Sequence, residues 1–285
     1  MWIFYAFLSS FFAGVTAVLA KCGIKNTDSN VATALRTTVV LVFSWIMVFV
    51  VGSQDGIGDI NAKTWIFLIL SGLATGASWL CYFRALSIGD INKVVPVDKS
   101  SVIFTLILAF LVLGEEISIM KFAAMILLGI GTYMMIERKD SSGRSTGKGW
   151  FVYALFSAIF ASLTTILGKI GIAGVESNLG TALRTGVVLI MAWLVVGVSG
   201  KMHTVRSIKK SELGFIALSG VATGGSWLCY YKALKDGLAS VVVPIDKLSV
   251  VVTVVFSYIV FHEKLSRKAA IGLAAVILAT FMMIL

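Results

Sequence analysis

Charged residues are scarce in this chain of 285 residues, and so is proline. Only 13% of the residues are charged, two are proline and 58% are hydrophobic, and the mean hydropathy is +0.97. This composition lies far from that of soluble globular proteins. It predicts an integral membrane protein embedded in a lipid bilayer.

Cysteine and histidine are also rare, which argues against a metal centre, a disulfide framework or a bound cofactor. The cysteines are Cys22, Cys81 and Cys229, and the histidines, His203 and His262, fall in predicted loops. None of them is spaced as metal ligands are. No nucleophile with a base and an orienting group stands out, and no G-x-x-x-x-G-K-[ST] phosphate loop is present. Neither an enzyme nor ATP-driven transport by this chain is therefore expected.

Ten apolar stretches are long enough to cross a bilayer, whose core of roughly 30 Å needs about 20 helical residues. They are residues 2–20, 31–51, 64–83, 92–113 and 118–136, then 149–168, 178–198, 211–231, 238–261 and 266–285. Their apolar runs are continuous, whereas strands of a membrane barrel alternate apolar and polar residues. An all-α membrane protein with ten transmembrane helices is predicted.

The sequence contains one long internal repeat. From Tyr5 onward, residue n matches residue n+148 without a gap, and residues 71–86 share twelve of sixteen positions with residues 219–234. Two repeats are predicted, residues 1–137 and 149–285, joined by a cytoplasmic linker at 138–148. Because each repeat holds five spans, an odd number, the second enters the membrane from the opposite face, and the repeats are inverted.

The distribution of lysine and arginine predicts the orientation. With the N-terminus outside, fifteen basic residues fall in cytoplasmic loops and five face outward. The positive-inside rule then places both termini outside the cytoplasm, in the cell membrane. The formal net charge of +10 is explained by topology, and no loop has the basic and aromatic mixture of a nucleic-acid site. The first apolar run lacks a basic leader and a cleavage site, so it is interpreted as a retained helix.

Spans four and nine contain matched Pro-x-Asp-Lys sequences, beginning at Pro96 and Pro244. Proline removes a hydrogen bond from a helix, and broken helices at matched places in two inverted halves are the best sequence indication of a transporter's binding site. At helical spacing Asp98, Ser101 and Thr105 are predicted to share one face, and the second repeat shows the same pattern.

Spans two and seven contain Thr-Ala-Leu-Arg-Thr, centred near Arg36 and Arg184. A charge at the bilayer centre costs at least about 2.5–3.5 kcal/mol, so it is retained mainly where it faces a cavity or a partner. A cavity role is favoured because both inverted halves keep the arginine. The alternatives are that each arginine reaches the membrane surface, or that it pairs with Asp98 or Asp246 to hold the helices together.

Twenty polar, charged and aromatic residues are predicted to line a central cavity, ten from each repeat. In the first repeat they are Arg36, Thr37, Thr75, Ser78, Trp79, Tyr82, Pro96, Asp98, Lys99 and Ser101. In the second repeat they are Arg184, Thr185, Thr223, Ser226, Trp227, Tyr230, Pro244, Asp246, Lys247 and Ser249. The two lysines either neutralise the aspartate of the opposite repeat or reach the surface. The Gly-x-x-x-Gly sequences beginning at Gly72 and Gly220 are interpreted as positions of close helix packing.

The whole chain resembles the EamA-type branch of the drug/metabolite transporter superfamily. The resemblance rests on Gly-x-Ala-Thr-Gly-x-Ser-Trp-Leu-Cys-Tyr in spans three and eight, on the Pro-x-Asp-Lys turns, and on Gly114-Glu115 at the end of span four. The second repeat has His262-Glu263 there, so its glycine is lost. Each repeat also resembles single-repeat proteins of this group, which are expected to pair antiparallel.

The resemblance implies a basket of two inverted five-helix repeats, with the fifth helix of each at the periphery. It implies a secondary or facilitative transporter that works by alternating access, passively or with a coupling proton or sodium ion. A monomer would be sufficient, and a homodimer is also compatible.

The predicted substrate is a small molecule, and its class depends on the charges inside the spans. Spans one and six contain no acidic residue, unlike the small multidrug relatives that exchange protons for cations. Paired arginines and aspartates suit a small polar or zwitterionic metabolite. We predict export of an amino-acid-like molecule, with multidrug or cation efflux and a carrier for lipid-linked sugars as the alternatives.

Overall fold

A computed structural model of the protein describes residues 1–23, 26–89, 91–116, 118–135, 149–262 and 265–285. The regular elements in these segments are all helical, which confirms the predicted all-α class. The predicted linker, residues 138–148, lies outside the described residues, and so does Glu263.

Six α-helices form the described part of each repeat. In the first repeat they are α1 (Trp2–Gly23), α2 (Ser29–Val51), α3 (Ala62–Ile88), α4 (Ile91–Lys99), α5 (Ser101–Leu113) and α6 (Ile119–Met135). In the second they are α7 (Gly149–Ala173), α8 (Ser177–Val198), α9 (Lys210–Asp236), α10 (Ala239–Lys247), α11 (Ser249–Phe261) and α12 (Arg267–Ile284). Short 3-10 helices, Gln54–Ile57 and Met202–Ser207, follow α2 and α8.

Nine segments of the described chain are long and apolar enough to cross a membrane, and α4–α5 and α10–α11 each count as one of them. The tenth predicted span corresponds to α6, a shorter apolar helix of 17 residues. Helices α3 and α9 continue to residues 88 and 236, past the predicted ends at 83 and 231. The additional residues include Arg84 and Lys232, and charged side chains near a membrane surface need not end a helix.

The two repeats pack against each other through equivalent helix pairs. Helix α3 packs against α7 and α1 packs against α9, while α2 pairs with α8 and α6 with α12. Exchanging residue n with residue n+148 converts the first pair into the second and leaves the other two pairs unchanged. An approximate two-fold axis therefore relates the repeats.

Contacts between helix ends agree with inverted insertion. Trp2, at the start of α1, packs against Gly237 after α9, and its equivalent Trp150 packs against Gly89 after α3. We call the membrane face that contains Trp2 the N-terminal face and the other the opposite face. In an inverted pair, α5 and α7 end at the N-terminal face, where α8 and α10 begin.

The Gly-x-x-x-Gly sequences allow α3 and α9 to approach α8 and α2. A Cβ atom on Gly72 would lie 2.7 Å from Cβ of Val187, and one on Gly220 would lie 2.6 Å from Cβ of Val39. Real Cβ atoms essentially never come so close. The interpretation of these glycines as close packing positions is confirmed.

Equivalent acidic residues begin α2 and α8 and fix the depth of the intramembrane arginines. Asp28 and Glu176 each accept hydrogen bonds from two backbone N–H groups of the first turn. A carboxylate at this position accepts hydrogen bonds from N–H groups that have no partner within the helix. Its negative charge also interacts favourably with the positive end of the helix dipole. Arg36 and Arg184 therefore lie about two turns inside their helices.

Both proline-containing spans are broken, as predicted, and the break follows the Asp-Lys sequence. Helix α4 ends at Lys99 and α5 begins at Ser101, while α10 ends at Lys247 and α11 begins at Ser249. The single polar face predicted for Asp98, Ser101 and Thr105 is wrong in this respect, because the aspartate and the serine belong to different helices.

Candidate functional site

Each intramembrane aspartate accepts a hydrogen bond from a serine of the opposite repeat. Ser157 Oγ on α7 donates to Asp98 Oδ1 at 2.7 Å, and Ser9 Oγ on α1 donates to Asp246 Oδ1 at 2.9 Å. A second serine hydroxyl lies 3.3 Å from each donor. We call these the aspartate clusters, and their members are Asp98, Ser157 and Ser78, and Asp246, Ser9 and Ser226.

Arg184 lies at the centre of a buried arginine cluster. Its Nε donates to Ser71 Oγ at 2.8 Å and its Nη2 donates to Thr75 Oγ1 at 2.6 Å. The guanidinium carbon is 5.5 Å from the ring centre of Trp227 and 4.8 Å from that of Tyr231. Arg184 is only 2% exposed. Hydroxyl groups and aromatic faces thus surround this cation.

Arg36 is the equivalent residue of the first repeat, but it is partly exposed and makes fewer contacts. Its Nε donates to Ser219 Oγ at 3.1 Å, as in the second repeat. Its two terminal nitrogens have no hydrogen-bond partner among the residues that the structure describes. Thr223, the equivalent of Thr75, lies 3.2 Å from the hydroxyl of Thr16, as Thr75 lies 3.3 Å from that of Thr164, but no hydrogen bond from Arg36 to Thr223 is observed in the described residues.

Lys99 interacts with the aspartate of its own repeat. Its Nζ lies 3.8 Å from Asp98 Oδ2, and the two side chains are 51% and 17% exposed. Of the two alternatives for Lys99, neutralisation of the opposite aspartate is therefore not observed, and its half-exposed side chain pairs with the aspartate beside it. Lys247 is the last residue of α10 and is partly buried.

The alternative that the arginines serve as ion-pair partners is not observed. Within the described residues, neither Arg36 nor Arg184 has a carboxylate oxygen within 4.0 Å. Both guanidinium groups are held by hydroxyls through Nε. The structure therefore separates the arginine clusters from the aspartate clusters.

Seven predicted site residues lie outside these clusters. Two threonines donate to carbonyls of their own helices, and two serines accept bonds through their backbone carbonyls. Two aromatic side chains pack against small apolar clusters, and one tyrosine hydroxyl lies 3.2 Å from that of Thr165. They are Thr37 and Thr185, Ser101 and Ser249, Trp79 and Tyr82, and Tyr230.

Spans one and six supply hydroxyl groups that sequence reasoning missed. Ser9 and Thr16 on α1, with Ser157 and Thr164 on α7, face the polar residues of α9 and α3. Their signal was the repeat itself, because each hydroxyl recurs 148 residues later. A serine or threonine in an apolar helix often bonds only to its own backbone, so the sequence did not single them out. Tyr231 had no such signal, since its equivalent is a phenylalanine.

The repeats differ in how tightly they pack around the broken helices. In the second repeat, Thr280 Oγ1 on α12 donates to the carbonyl of Pro244 at 3.3 Å, and α10 is buried from residue 239 to 245. In the first repeat the equivalent residue, Thr132, lines a cavity of about 100 Å³ beside Pro96 and Lys99. The same sequence element is therefore closed in one repeat and open in the other.

Glu115 joins the end of α5 to the beginning of α10 at the N-terminal face. Its carboxylate accepts hydrogen bonds from the N–H groups of Ala239 and Ser240 at 2.7 and 2.8 Å, and Lys169 Nζ lies 3.3 Å away. Burial alone would raise the pKa of Glu115, but the bonds from Ser240 and Ala239 and the charge of Lys169 outweigh it and hold the pKa below its ordinary value. The carboxylate is therefore ionised at neutral pH.

The clusters offer two kinds of binding group. Aspartate and serine oxygens accept hydrogen bonds from an ammonium group, whereas guanidinium nitrogens donate to a carboxylate. Among the described residues, no three Cys, His, Asp or Glu side chains are placed to hold a metal ion. The arrangement is thus suited to binding a polar organic molecule within the membrane.

Comparison with known proteins gives relatives for both halves of the chain. Residues 1–137 and 148–285 match the model of the EamA-like transporter family. A protein of Sinorhizobium sp. named as an uncharacterized transporter in the cobO 3'region is 42% identical over 134 residues, which cover 47% of this chain and 95% of that protein. An uncharacterized transporter of Methanothermobacter thermautotrophicus is 25% identical over 232 residues, 77% of this chain and 64% of that protein.

A solved crystal structure shows a similar fold. It superposes with a TM-score of 0.80 at 16% identity, covering 99% of this chain and 96% of the other. At this level of identity the likeness concerns the fold alone. The Sinorhizobium protein, by contrast, has about the length of one repeat, because its match spans nearly all of it but less than half of this chain.

Proposed function

Because the chain belongs to the EamA-like transporter family, we propose that it is a secondary or facilitative transporter of a small zwitterionic metabolite of the amino-acid type. It is a multi-pass membrane protein, and the relatives named above are transporters. The proposed activity is export across the cell membrane by alternating access, without catalysis. A proton or sodium ion is the proposed coupling ion.

The aspartate and arginine clusters are the observation that supports a zwitterionic substrate. Ionised groups inside a bilayer are costly and mark functional sites by default. Each repeat contains a negatively and a positively charged side chain within its spans, Asp98 and Arg36 in the first and Asp246 and Arg184 in the second. A cation pump needs only the acidic groups, so the retained arginines favour a substrate that carries a carboxylate as well as an amine.

The different packing of the repeats supports alternating access. In transporters with inverted repeats, the two halves can exchange conformations and so open the binding site to the other face. Here α10 is buried, whereas its equivalent α4 is mostly only partly buried, next to the cavity at Pro96. Exchange of these two conformations would close the first repeat and open the second.

Transport by the purified chain in proteoliposomes tests the proposal. The vesicles are challenged with separate pools of amino acids, carboxylates and cationic dyes, each with and without a proton or sodium gradient. We expect movement of the amino acid pool and its loss in Asp246→Asn. Asp59→Asn is the matched control, because Asp59 is an exposed residue of the loop after α2. Movement of dyes alone would contradict the proposal.

A lateral groove favours the lipid-linked sugar carrier as a second candidate. It has a volume of about 480 Å³ and lies between α1 and α2, with Phe12 and Phe43 among its walls and Gly225 on α9 in its lining. Such a carrier needs an opening between helices for its lipid chain. Lys232 at the groove is paired with Asp236 at 3.0 Å, so the head-group end is not strongly basic. Movement of a polyprenyl-phosphate sugar in the same vesicles, abolished by Gly225→Phe, would support this candidate.

A further inference from the structure

The two intramembrane arginines are equivalent in sequence but differ in what their terminal nitrogens contact. Nη2 of Arg184 donates to Thr75, and the guanidinium is covered by two aromatic rings. Arg36 uses only Nε, and no aromatic ring covers its guanidinium in the described part of the chain. Within the described residues, the terminal nitrogens of the Arg36 guanidinium therefore have neither a hydrogen-bond partner nor an aromatic cover.

The missing contact is available by symmetry but is not made. Thr223, the equivalent of Thr75, donates to the carbonyl of Ser219 at 2.7 Å and lies 3.2 Å from the hydroxyl of Thr16. The aromatic equivalent of Trp227 is Trp79, which packs against an apolar cluster that includes Ala192. The equivalents of Thr75 and Trp227 are thus present, but they do not enclose Arg36.

An arginine in this condition can bind an anion. The guanidinium stays protonated in proteins, and a charge within a membrane span is stable only when polar groups or water surround it. The two terminal nitrogens form a planar fork that matches a carboxylate, and such bidentate pairs are stronger than neutral hydrogen bonds. No described carboxylate approaches Arg36 within 4.0 Å.

We infer that the terminal nitrogens of Arg36 bind the carboxylate of the substrate in this conformation. When the first repeat closes, Thr223 replaces the carboxylate as the partner of these nitrogens. The second repeat shows the closed arrangement, with Thr75 and two aromatic rings around Arg184. Arg36 thereby selects carboxylate-bearing substrates, and Thr223 competes with the substrate and promotes its release. This inference rests on the proposed transport function and specifies that Arg36 recognises the carboxylate group of the substrate.

Protection of Arg36 from phenylglyoxal, an arginine-specific reagent, tests the inference in the full-length protein. Modification at each arginine is measured by mass spectrometry, with the protein in lipid nanodiscs. The added probes are a pool of free amino acids, the corresponding pool of amino acid amides, and a pool of carboxylates without amines. We expect both acid pools to slow modification of Arg36 by at least about fivefold. The amides should have no effect, because a carboxylate offers two anionic oxygens to the guanidinium and an amide does not. Equal protection by amides, or none by any pool, would overturn the inference.

Transport by Arg36→Lys adds a second readout, since lysine keeps the positive charge but has no pair of terminal nitrogens that can bind both carboxylate oxygens. Hydrogen bonds to charged groups are strong enough for the half-saturating concentration to rise by about tenfold to a hundredfold. Arg206→Lys, in the exposed 3-10 helix after α8, is the matched control and should be unchanged. If wild-type protein carries amino acids and Arg36→Lys has wild-type affinity, the Arg36 assignment fails while the transport proposal survives. If wild-type protein carries none of the pools, the transport proposal itself fails.

Discussion

Replacement of Glu115 by glutamine should open the N-terminal face of the protein. Glu115 is 6% exposed, and its carboxylate contacts two N–H groups of α10 and the ammonium group of Lys169. Glutamine has nearly the same size, but its single neutral oxygen takes the place of only one of the two carboxylate acceptors, accepts a weaker hydrogen bond and does not attract Lys169. The closed arrangement of α5, α7 and α10 should therefore become less stable while the protein still folds.

The size of the effect follows from these contacts. A hydrogen bond to a charged group contributes about 1.5–3 kcal/mol, and a glutamine retains part of that energy. Lys169 also donates to the carbonyl of Gly237, so it is not left without a partner. We expect a net loss of about 2–3 kcal/mol, which changes the ratio of closed to open molecules by roughly 30-fold to 150-fold.

Labelling of a cysteine at position 241 measures the opening. Val241 lies on α10, is 4% exposed, and is replaced in a protein from which Cys22, Cys81 and Cys229 have been removed. A thiol reagent should modify this cysteine much faster in Glu115→Gln. Glu116→Gln is the matched control, because Glu116 is the exposed neighbour with the same charge. Equal labelling rates in the two variants would refute the role assigned to Glu115.

The pH dependence of the same labelling reaction has a defined sign. The pKa of Glu115 is lower in the folded protein than in the unfolded chain, so its stabilising contribution is fully present above the ordinary carboxyl pKa. The contribution is lost only as the pH falls through the lowered value. Relative to the intrinsic reactivity of the thiol, labelling should be flat between about pH 6 and 8 and increase in acid. An increase centred near neutral pH would show that another group controls the closure.

Three further predictions concern packing, the aspartate clusters and orientation. Gly72→Ala should lower the stability of the protein in detergent by about 1–3 kcal/mol, because its Cβ would meet Val187. Gly186→Ala is the control and should not destabilise the protein, because no atom lies within 4 Å of the added Cβ. Equal melting temperatures of the two variants would contradict this packing. Ser157→Ala should reduce transport several-fold by removing the 2.7 Å bond to Asp98, with insertion verified by surface labelling, and unchanged transport would exclude that cluster from the site. A cysteine in place of Ser142 should react only with reagents that reach the cytoplasm, and labelling from outside would reverse the proposed orientation.

Much of the fold could be predicted because hydrophobic length and internal repetition are properties of the chain alone. A helix in a bilayer satisfies its own backbone hydrogen bonds, so each apolar run of sufficient length forms a span regardless of its neighbours. The two prolines likewise located the breaks between α4 and α5 and between α10 and α11. Helix ends were less well predicted, as the longer α3 and α9 show, because charged side chains there extend toward water without ending the helix.

The candidate site was predicted only in part, because its contacts join helices that are distant in the sequence. Ser157 and Asp98 belong to different repeats, and nothing in the local sequence of α7 identifies that serine as a partner of the aspartate. The sequence left open whether Lys99 neutralises the opposite aspartate or reaches the surface, and the structure pairs it with Asp98 of its own repeat. Positions of such long side chains depend on the space that neighbouring helices leave.

The sequence by itself determined the membrane environment, the apolar helices, the inverted duplication and the presence of two arginines and two aspartates within the apolar spans. These features follow from the free energy of burying apolar and charged groups, which each segment carries with it. Only the tertiary structure decided that the arginines bind hydroxyls rather than aspartates, and that Arg184 is enclosed while Arg36 is not. The arginines and the threonines at positions 75 and 223 are the same residue types in both repeats, so their different contacts arise from how the repeats pack against each other in one conformation.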